Sequence, residues 1–367
     1  MSIVIRGHLL NYQDERVVGC RISDSWKYRG LKVVILENEL IRVSVLADKG
    51  ADIYEFVYKP SDVDFMWRTP WGVRNPALTI PSTGWGEGIW HDSYIGGWQT
   101  IAPTSADQQS YHGADAGFHT EATLMPWDSV ITEDTPERVS AKFFVRTIRT
   151  PFWIEKKLTL EKNKPVLTIN ETLKNEAEED MDYQWGQHVA LGEPFLDDKC
   201  ILDMAPGNFI APGDRPPNRL KTDQVGKWPF AESPDGSTED LRTFPAKNSR
   251  LQDYMIFKNQ KEGWYSVTNP QLKLGFGLSY PINIFRYLWY WQVFGGGYGY
   301  PWYGRTYNVG LEPFSSFPAG GPEPGSNKPT SVKIKSGEKV SATIKAVVFP
   351  SHKGVKHINQ NGEVELK

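Results

Sequence analysis

The fold is decided by residues 139–173, which read VSAKFFVRTIRTPFWIEKKLTLEKNKPVLTINETL. Apolar and polar residues alternate along three runs of this stretch, Val139–Ile148, Trp153–Leu160 and Val166–Leu173. Successive side chains of a β-strand point to opposite faces of a sheet, so this period of two predicts strands with one buried face. Asn163-Lys164-Pro165 interrupts the alternation and predicts a turn. The stretch is therefore expected to form three consecutive strands.

The same alternation recurs on both sides of this stretch. Ile41, Val43 and Val45 alternate with polar neighbours, and Val332–Ile334 and Val340–Phe349 repeat the pattern near the carboxyl end. No segment of twelve or more residues has the 3.6-residue apolar repeat of a helix, and 33 glycines and 26 prolines are spread along the chain. No fixed-period repeat indicates a propeller or solenoid. These features predict an all-β protein, a sandwich or barrel, in one large domain spanning residues 1–367.

Composition disfavours several classes of partner. The formal net charge is -3 with acidic and basic residues interspersed, so no basic surface is predicted that would bind nucleic acid or anionic lipid. No stretch approaches the roughly 20 apolar residues that cross a bilayer. Cys20 and Cys200 form neither a disulfide framework nor a paired metal-ligand spacing, and Met1–Tyr12 lacks the features of a signal peptide. A cytoplasmic protein with a small polar ligand is expected, and its oligomeric state is left open.

Three long stretches rich in glycine, proline and aromatic residues interrupt the strand pattern, Phe65–Gly117, Ala205–Ser249 and Phe294–Gly304. Ordered loops of this length in a compact domain are usually functional. Their tryptophans suit a sugar, because the C–H faces of a pyranose stack on aromatic rings while its hydroxyls need polar side chains nearby. Most tryptophans in a β-sandwich nevertheless belong to the core. Only their clustering favours a sugar-binding cleft, and the clustered residues are Trp67, Trp71, Trp85, Trp90, Trp98, Trp127, Trp289, Trp291 and Trp302.

Two histidines flank a flexible Gly-Ala-Asp-Ala-Gly segment within Tyr111–Trp127. His112 and His119 do not have the i, i+4 spacing of a helical metal pair, and no third ligand is indicated. No metal site is predicted, and acid–base chemistry or hydroxyl binding suits these histidines better. His91 follows Trp90 and is either a ligand contact or a structural histidine, of which the structural role is the more common.

A further histidine and a glutamate stand in strand-like surroundings. His188 lies in Tyr183–Leu196, and Glu312 lies in Val309–Pro318 between an apolar pair and a proline. This position places the Glu312 carboxylate at a strand end beside aromatic residues. Such surroundings raise the pKa of a carboxyl group and can tune it as a base. Taken alone, Glu312 is also consistent with an ordinary glutamate at a sheet edge.

The order of these motifs along the chain resembles the galactose mutarotase-like superfamily. The resemblance covers nearly the whole chain, and it is carried by Lys49–Ile53, Gly96–Gln99 with Pro103, His119 before Pro126-Trp127, His188 before Gly192–Phe195, and Glu312-Pro313. It implies a large antiparallel β-sandwich, or supersandwich, whose concave face holds a sugar. It also implies that His188 and Glu312 are the catalytic pair.

An earlier histidine of the superfamily, which contacts the ring oxygen or anomeric hydroxyl, resembles His119, with His112 as the alternative. The spacing to Pro126-Trp127 favours His119, whereas only His112 is followed by a glycine. The Asn-Arg pair and the aspartate that hold sugar hydroxyls in galactose mutarotases have no clear counterpart, so the identity of the sugar is left open. Besides His119, His188 and Glu312, the side chains expected to bind the sugar are His112, Arg68, Trp98, Gln99, Trp127 and Trp291.

The resemblance implies an aldose 1-epimerase, an isomerase that opens and recloses a cyclic hemiacetal without a cofactor. Glu312 is expected to take the O1 proton as a carboxylate while protonated His188 gives a proton to the ring oxygen. Hexose-6-phosphate epimerases of the superfamily carry an arginine shortly after the histidine, and residues 119–127 contain none, so an unphosphorylated sugar is expected. The alternatives are a non-catalytic carbohydrate-binding sandwich and a lyase or hydrolase of glycosidic bonds.

Overall fold

Two antiparallel sheets packed face to face form the protein, whose computed structural model describes residues 16–213 and 217–367. The large sheet has fourteen strands and the small sheet has eight within these residues. Residues 139–173 fall in three neighbouring strands of the small sheet, as their alternation predicts. The predicted all-β sandwich is confirmed.

The large sheet contains β1 (Arg21–Tyr28), β2 (Leu31–Glu37), β3 (Ile41–Leu46), β4 (Asp52–Tyr58), β5 (Val63–Asp64), β6 (Trp98–Ile101), β14 (Gly186–Gly192), β16 (Asn208–Ala211), β17 (Gln224–Lys227), β18 (Phe230–Glu232), β19 (Thr238–Asp240), β20 (Leu251–Lys258), β23 (Tyr287–Phe294) and β24 (Tyr307–Phe314). The small sheet contains β9 (Asp128–Asp134), β10 (Arg138–Arg146), β11 (Phe152–Glu161), β12 (Val166–Asn175), β15 (Ile201–Met204), β21 (Gly263–Asn269), β22 (Leu274–Tyr280) and β26 (Lys339–Pro350).

Three two-stranded ribbons and a few short helices complete the described elements. The ribbons pair β7 (Gln109–Tyr111) with β8 (Ala114–Ala116), β13 (Met181–Tyr183) with β25 (Val332–Ile334), and β27 (Val355–Ile358) with β28 (Val364–Leu366). The α-helix α1 spans Gly86–Ser93. One-turn 3-10 helices span Lys59–Ser61, Pro76–Leu78, Ala122–Leu124, Lys247–Ser249 and Pro318–Gly320.

The middle of the large sheet consists of β4, β6, β14, β24, β23 and β20, in that spatial order. Alternation along β14 turns Gln187 and Val189 toward the small sheet. His188 and Ala190 face the opposite side, where aromatic side chains from the long loops gather. One face of these strands therefore belongs to the core, and the other is free to form the floor of a cleft.

Aromatic side chains fill the space between the two sheets. The ring of Phe276 on β22 lies 5.4 Å from the ring of Phe56 on β4 and 5.2 Å from the ring of Phe65. All three side chains are fully buried. The main apolar cluster draws residues from Cys20 to Val348, so the two sheets share one core. A single domain spanning residues 1–367 stays a prediction.

A buried polar network also joins the sheets. Lys156 on β11 stands directly opposite Glu171 on β12, and both point into the core at positions where the alternation predicts apolar residues. Glu171 accepts hydrogen bonds from the hydroxyl of Thr100 at 2.7 Å, the indole of Trp185 at 3.1 Å and the amide of Gln187 at 2.7 Å. A buried charge is stable only with such partners. The network therefore ties β6 and β14 of the large sheet to the small sheet.

The long stretches that interrupt the strand pattern differ from one another. The sequence predicts a loop over Ala205–Ser249, but the described residues of this stretch form the edge strands β16 to β19 of the large sheet. Phe65–Gly117 holds α1 and three short strands, while Phe294–Gly304 contributes residues that line the cleft. The edge strands are only three or four residues long, which explains why their alternation escapes detection in the sequence.

Two further expectations concern the ends and the cysteines of the chain. The expectation that Met1–Tyr12 is not a signal peptide concerns residues outside the described ranges. Cys20 and Cys200 are both buried free thiols, as the absence of a disulfide framework in the sequence suggests. Across residues 16–213 and 217–367, no helix has the length and apolar character that crossing a bilayer requires.

Phe276→Ala tests the shared core. Removing a fully buried phenylalanine leaves a cavity between the sheets, so we expect the free energy of unfolding to fall by about 3–5 kcal/mol in urea denaturation. Val130→Ala on β9 is the matched control, because Val130 is 45% exposed and its loss should cost less than about 1 kcal/mol. A Phe276→Ala loss as small as that of the control would contradict the packing described above.

Candidate functional site

The pairing of β14 with β24 brings the two principal candidate residues together. Its register sets Ala190 opposite Gly310. Two residues further along each strand, His188 and Glu312 therefore stand opposite each other and on the same face. Trp289 on β23 is in turn opposite Glu312. The row of side chains crosses three strands and forms the floor of the cleft.

His188 and Glu312 form a close and almost completely buried pair. His188 Nε2 lies 3.4 Å from Glu312 Oε1, and the two side chains are 5% and 3% exposed. Gly310 makes room for the carboxyl group, because a Cβ atom at this position would lie 2.3 Å from Glu312 Oε1. The sequence places these residues far apart, and only the strand register makes them neighbours.

Burial determines the charge of this pair. Desolvation lowers the pKa of His188 to about 3 and raises the pKa of Glu312 well above its ordinary value of 4.5. Both shifts have the same main cause, since a low-dielectric environment disfavours whichever form is charged. Burial therefore favours the neutral form of each group, a protonated Glu312 carboxyl beside a neutral His188 imidazole. The sequence-based expectation has the proton on His188 instead.

A tyrosine hydroxyl lies on the other side of the His188 ring. The Tyr94 oxygen is 3.2 Å from His188 Nδ1, and Tyr94 is fully buried at the carboxyl end of α1. Its ring stacks on Trp90 with centroids 4.4 Å apart. Its carbonyl accepts a hydrogen bond from the Trp71 indole at 3.0 Å. His188 is thus held between Tyr94 at Nδ1 and Glu312 at Nε2.

His119 occupies the wall of the same cleft, and its ring centroid is 5.6 Å from that of His188. The backbone N–H of Ala106 donates to His119 Nδ1 at 3.0 Å, so the hydrogen of the neutral ring is on Nε2. Burial, reinforced by His188 and His91, lowers the pKa of His119 well below its usual range. His119 is therefore a neutral ring with a fixed N–H donor.

The cleft above the pair has a volume of about 340 Å³, which lies at the small end of the range for ligand pockets. Its acidic and histidine lining consists of Glu87, Asp107, Glu312, His91, His119 and His188, and none of the described lining residues is a lysine or arginine. Its aromatic lining consists of Trp90, Phe118, Tyr254, Trp289, Trp291, Tyr298, Tyr300 and Trp302. Flat apolar walls above a polar floor suit a molecule with both C–H faces and hydroxyls.

Three of the expected sugar contacts are buried away from the cleft. Trp98 faces the core, where its indole donates to the side-chain oxygen of Gln187 at 2.8 Å. The Trp127 indole donates to a backbone carbonyl at 2.9 Å and is part of the core. Gln99 donates to Asp52 at 2.8 Å and is fully buried. None of the three lines the cavity.

His112 and Arg68 also lie outside the cleft. His112 is partly exposed, and its Nε2 is 3.1 Å from an oxygen of Asp182. Arg68 bonds to Asp64, and its guanidinium lies over the Tyr54 ring, 3.8 Å from the centroid. Of the residues expected to bind the sugar, Trp291 lines the cavity together with the three catalytic candidates. The structure thus brings His119, and not His112, to the His188–Glu312 pair.

Trp90 and His91 are candidates from the sequence and line the cavity, whereas nothing in the sequence points to Glu87 or Tyr94. The short helix α1 supplies Glu87, Trp90 and His91, and Tyr94 follows it directly. An eight-residue helix with two glycines is too short to show a 3.6-residue repeat.

Within the described residues, no group of three or more histidine, cysteine, aspartate or glutamate side chains could hold a metal ion.

Comparison with known proteins identifies the family and the fold. Residues 28–348 match the family described as Domain of unknown function (DUF4432). No curated protein sequence matches the chain. Among solved structures, a protein from Klebsiella pneumoniae subsp. pneumoniae MGH 78578, named as a proposed aldose 1-epimerase, has a TM-score of 0.69 at 14% sequence identity. That match covers 91% of this chain and 83% of the Klebsiella chain.

Two other solved structures share the architecture. A galactose mutarotase related enzyme from Lactobacillus acidophilus is 16% identical with a TM-score of 0.58, over 87% of this chain and 98% of that chain. A galactose mutarotase-like protein from Lactobacillus casei ATCC 334 is 15% identical with a TM-score of 0.56, over 86% of this chain and 100% of that chain. Identities this low show the fold alone. The chain therefore has the galactose mutarotase-like fold that the order of its motifs indicates.

The raised pKa of Glu312 has a consequence for stability that Glu312→Gln tests. Above about pH 4.5 the unfolded chain releases this proton while the folded protein retains it, so the wild type loses stability as the pH rises toward the raised pKa. The glutamine side chain of the Glu312→Gln variant cannot ionise, so this loss of stability is absent from the variant. We therefore expect the variant to gain stability relative to the wild type progressively as the pH rises above about 5, with little difference at pH 4, in urea titrations. Glu137→Gln, at an exposed glutamate, is the control. A stability difference that does not vary with pH would contradict the assigned proton.

Proposed function

The chain belongs to the family described as Domain of unknown function (DUF4432), and from its fold and cleft we propose that it interconverts the anomers of a free reducing sugar. The buried His188–Glu312 pair at the floor of an aromatic cleft carries this proposal. The proposed activity is that of an aldose 1-epimerase-like isomerase. Its proposed place of action is the cytoplasm, which suits the free thiols of Cys20 and Cys200.

Anomer exchange needs one proton removed from the O1 hydroxyl and one delivered to the ring oxygen O5. From the neutral pair, the Glu312 carboxyl gives its proton to O5 while His188 Nε2 takes the O1 proton, and the C1–O5 bond breaks. The result is an open-chain aldehyde beside a carboxylate and an imidazolium that attract each other. After rotation about C1–C2, both protons return as the ring closes. The direction of each transfer is the reverse of the sequence-based expectation, because burial favours a protonated Glu312 and a neutral His188 as the starting state.

The remaining lining residues bind the sugar without exchanging protons. His119 Nε2–H is a fixed donor for a sugar oxygen, since the backbone N–H of Ala106 occupies Nδ1. Trp291 and its aromatic neighbours offer surfaces for the C–H faces of a pyranose. Glu87 and Asp107 would repel a phosphate, so an unphosphorylated sugar is the proposed substrate.

Magnetisation-exchange NMR on a panel of free aldoses tests the proposal, because it reports anomer exchange for any sugar in the panel. We expect the wild type to accelerate exchange of at least one aldose. Glu312→Gln and His188→Gln should each lower the rate at least about 100-fold, because each positioned acid or base typically contributes 10² to 10⁴. Sugar affinity should change by much less.

The controls separate this function from the alternatives. His112→Gln should keep the wild-type rate, because His112 lies outside the cleft. Wild-type exchange by Glu312→Gln would refute the assignment. Sugar binding without exchange would indicate the non-catalytic carbohydrate-binding sandwich. Release of new reducing ends from oligosaccharides, without anomer exchange, would indicate a hydrolase or lyase.

Trp291→Leu tests the aromatic wall. Trp291 is half-buried and lines the cavity, with its ring 5.3 Å from that of Trp302. Loss of the stacking surface should weaken sugar binding about 3- to 10-fold, corresponding to roughly 0.5–1.5 kcal/mol for an aromatic contact. Affinity is measured by chemical-shift titration with the sugar found above. Trp153→Leu, on the small sheet and stacked on Phe144, should leave the affinity unchanged. Equal effects of the two variants would contradict a role for Trp291.

A further inference from the structure

Two buried histidines share the cleft, but the partners of their Nδ1 atoms differ. His119 Nδ1 faces a backbone N–H, which can only donate. His188 Nδ1 faces the hydroxyl of Tyr94, which can donate or accept. A donor at Nδ1 excludes a hydrogen there, whereas a hydroxyl oxygen permits one. His119 is therefore restricted to the Nε2–H tautomer, whereas His188 can carry its hydrogen on Nδ1.

The proposed proton exchange sets a requirement on Nδ1 of His188. The atom that faces Glu312 is Nε2, so Nε2 must be empty in one state and protonated in the other. A neutral ring with an empty Nε2 carries its hydrogen on Nδ1, and an imidazolium carries one on each nitrogen. Nδ1 therefore bears a hydrogen in both states and needs an acceptor throughout. The Tyr94 oxygen, at 3.2 Å, is in position to be that acceptor.

We propose that Tyr94 is a positioning residue whose oxygen accepts the Nδ1–H of His188, so that Nε2 alone takes and returns the proton. This inference rests on the proposed anomer exchange and deepens it by naming the group that makes His188 suitable as the base. No proton leaves Tyr94 in this scheme. Its hydroxyl also stabilises the imidazolium once Nε2 has received the O1 proton.

The surroundings of Tyr94 hold its oxygen in place. The backbone N–H of Tyr94 donates to the carbonyl of His91 at 3.2 Å, and its own carbonyl is bound by the Trp71 indole. Its ring is packed between Trp90 and Trp67, with centroid distances of 4.4 and 5.9 Å. These contacts come from the ring and backbone. Removing the hydroxyl therefore leaves them intact.

The other titratable groups around His188 do not replace Tyr94. Glu312 on β24 faces Nε2 rather than Nδ1. His119 presents a ring 5.6 Å away whose own Nδ1 is occupied. His91 on α1 lowers the pKa of His188 through charge repulsion when it is protonated. Of these groups, only Tyr94 has an atom at hydrogen-bond distance from Nδ1.

The ring tautomer of His188 in the wild-type protein is the first test. Long-range ¹H–¹⁵N correlation spectra of protein with labelled histidines identify which nitrogen carries the hydrogen, and His188→Gln assigns the signal. We expect the Nδ1–H form for His188 and the Nε2–H form for His119 in the absence of sugar. An Nε2–H form of His188 would overturn the inference, whatever the anomer-exchange rate. The measurement needs no activity, so it is independent of the proposed function.

Tyr94→Phe is the second test. We expect the variant to lose the preference of His188 for Nδ1–H and to lower kcat about 10- to 100-fold, as for a hydrogen bond to a charged group, with KM changed less than about threefold. Tyr280→Phe is the matched control, because Tyr280 is a fully buried tyrosine of the small sheet whose hydroxyl has no hydrogen-bond partner among the described residues. It should change neither the tautomer nor kcat. An unchanged tautomer and rate in Tyr94→Phe would overturn the inference.

Discussion

The register of β14 between β6 and β24 is the constraint on which the cleft depends. A slip of one residue would turn His188 into the core and Gln187 into the cleft, because successive side chains point to opposite faces. Glu171 opposes such a slip from beneath, since its hydrogen bonds from Thr100, Trp185 and Gln187 are satisfied only in the observed register. A buried charge that lost these partners would be strongly unfavourable. The buried network around Glu171 on one face of the sheet thus keeps His188 in position on the other face.

Burial has opposite roles on the two faces of β14. Beneath the strand, Glu171 and Lys156 are surrounded by compensating hydrogen bonds, so their burial joins the sheets. Above the strand, His188 and Glu312 have few partners besides each other, and desolvation favours the neutral form of both. The same aromatic walls that suit the faces of a sugar also remove water from this pair. Under the proposed function, sugar binding and acid–base chemistry would therefore depend on the same aromatic walls of the cleft.

Much of the fold follows from periodicity, whereas the details of the site do not. The alternation over Val139–Ile148 predicts a strand where the structure has β10 (Arg138–Arg146), and the order of the motifs indicates the correct fold. Strand register, however, is a three-dimensional property, so the contact of His188 with Glu312 could be inferred only through the family resemblance. Trp98 and Trp291 look alike in sequence although one faces the core and the other the cleft. The role suggested here for Tyr94 depends on a helix that is too short to leave a periodic signal.

The steric role of Gly310 affects how the sequences of other family members are interpreted. A side chain at this position would occupy the space of the Glu312 carboxyl group, so the orientation of the glutamate depends on the glycine two residues before it. A homologue that keeps the glutamate but carries a larger residue in place of the glycine cannot hold the carboxyl group in the same orientation. We therefore expect the spacing Gly-x-Glu to mark the family members that hold the carboxyl group as this chain does.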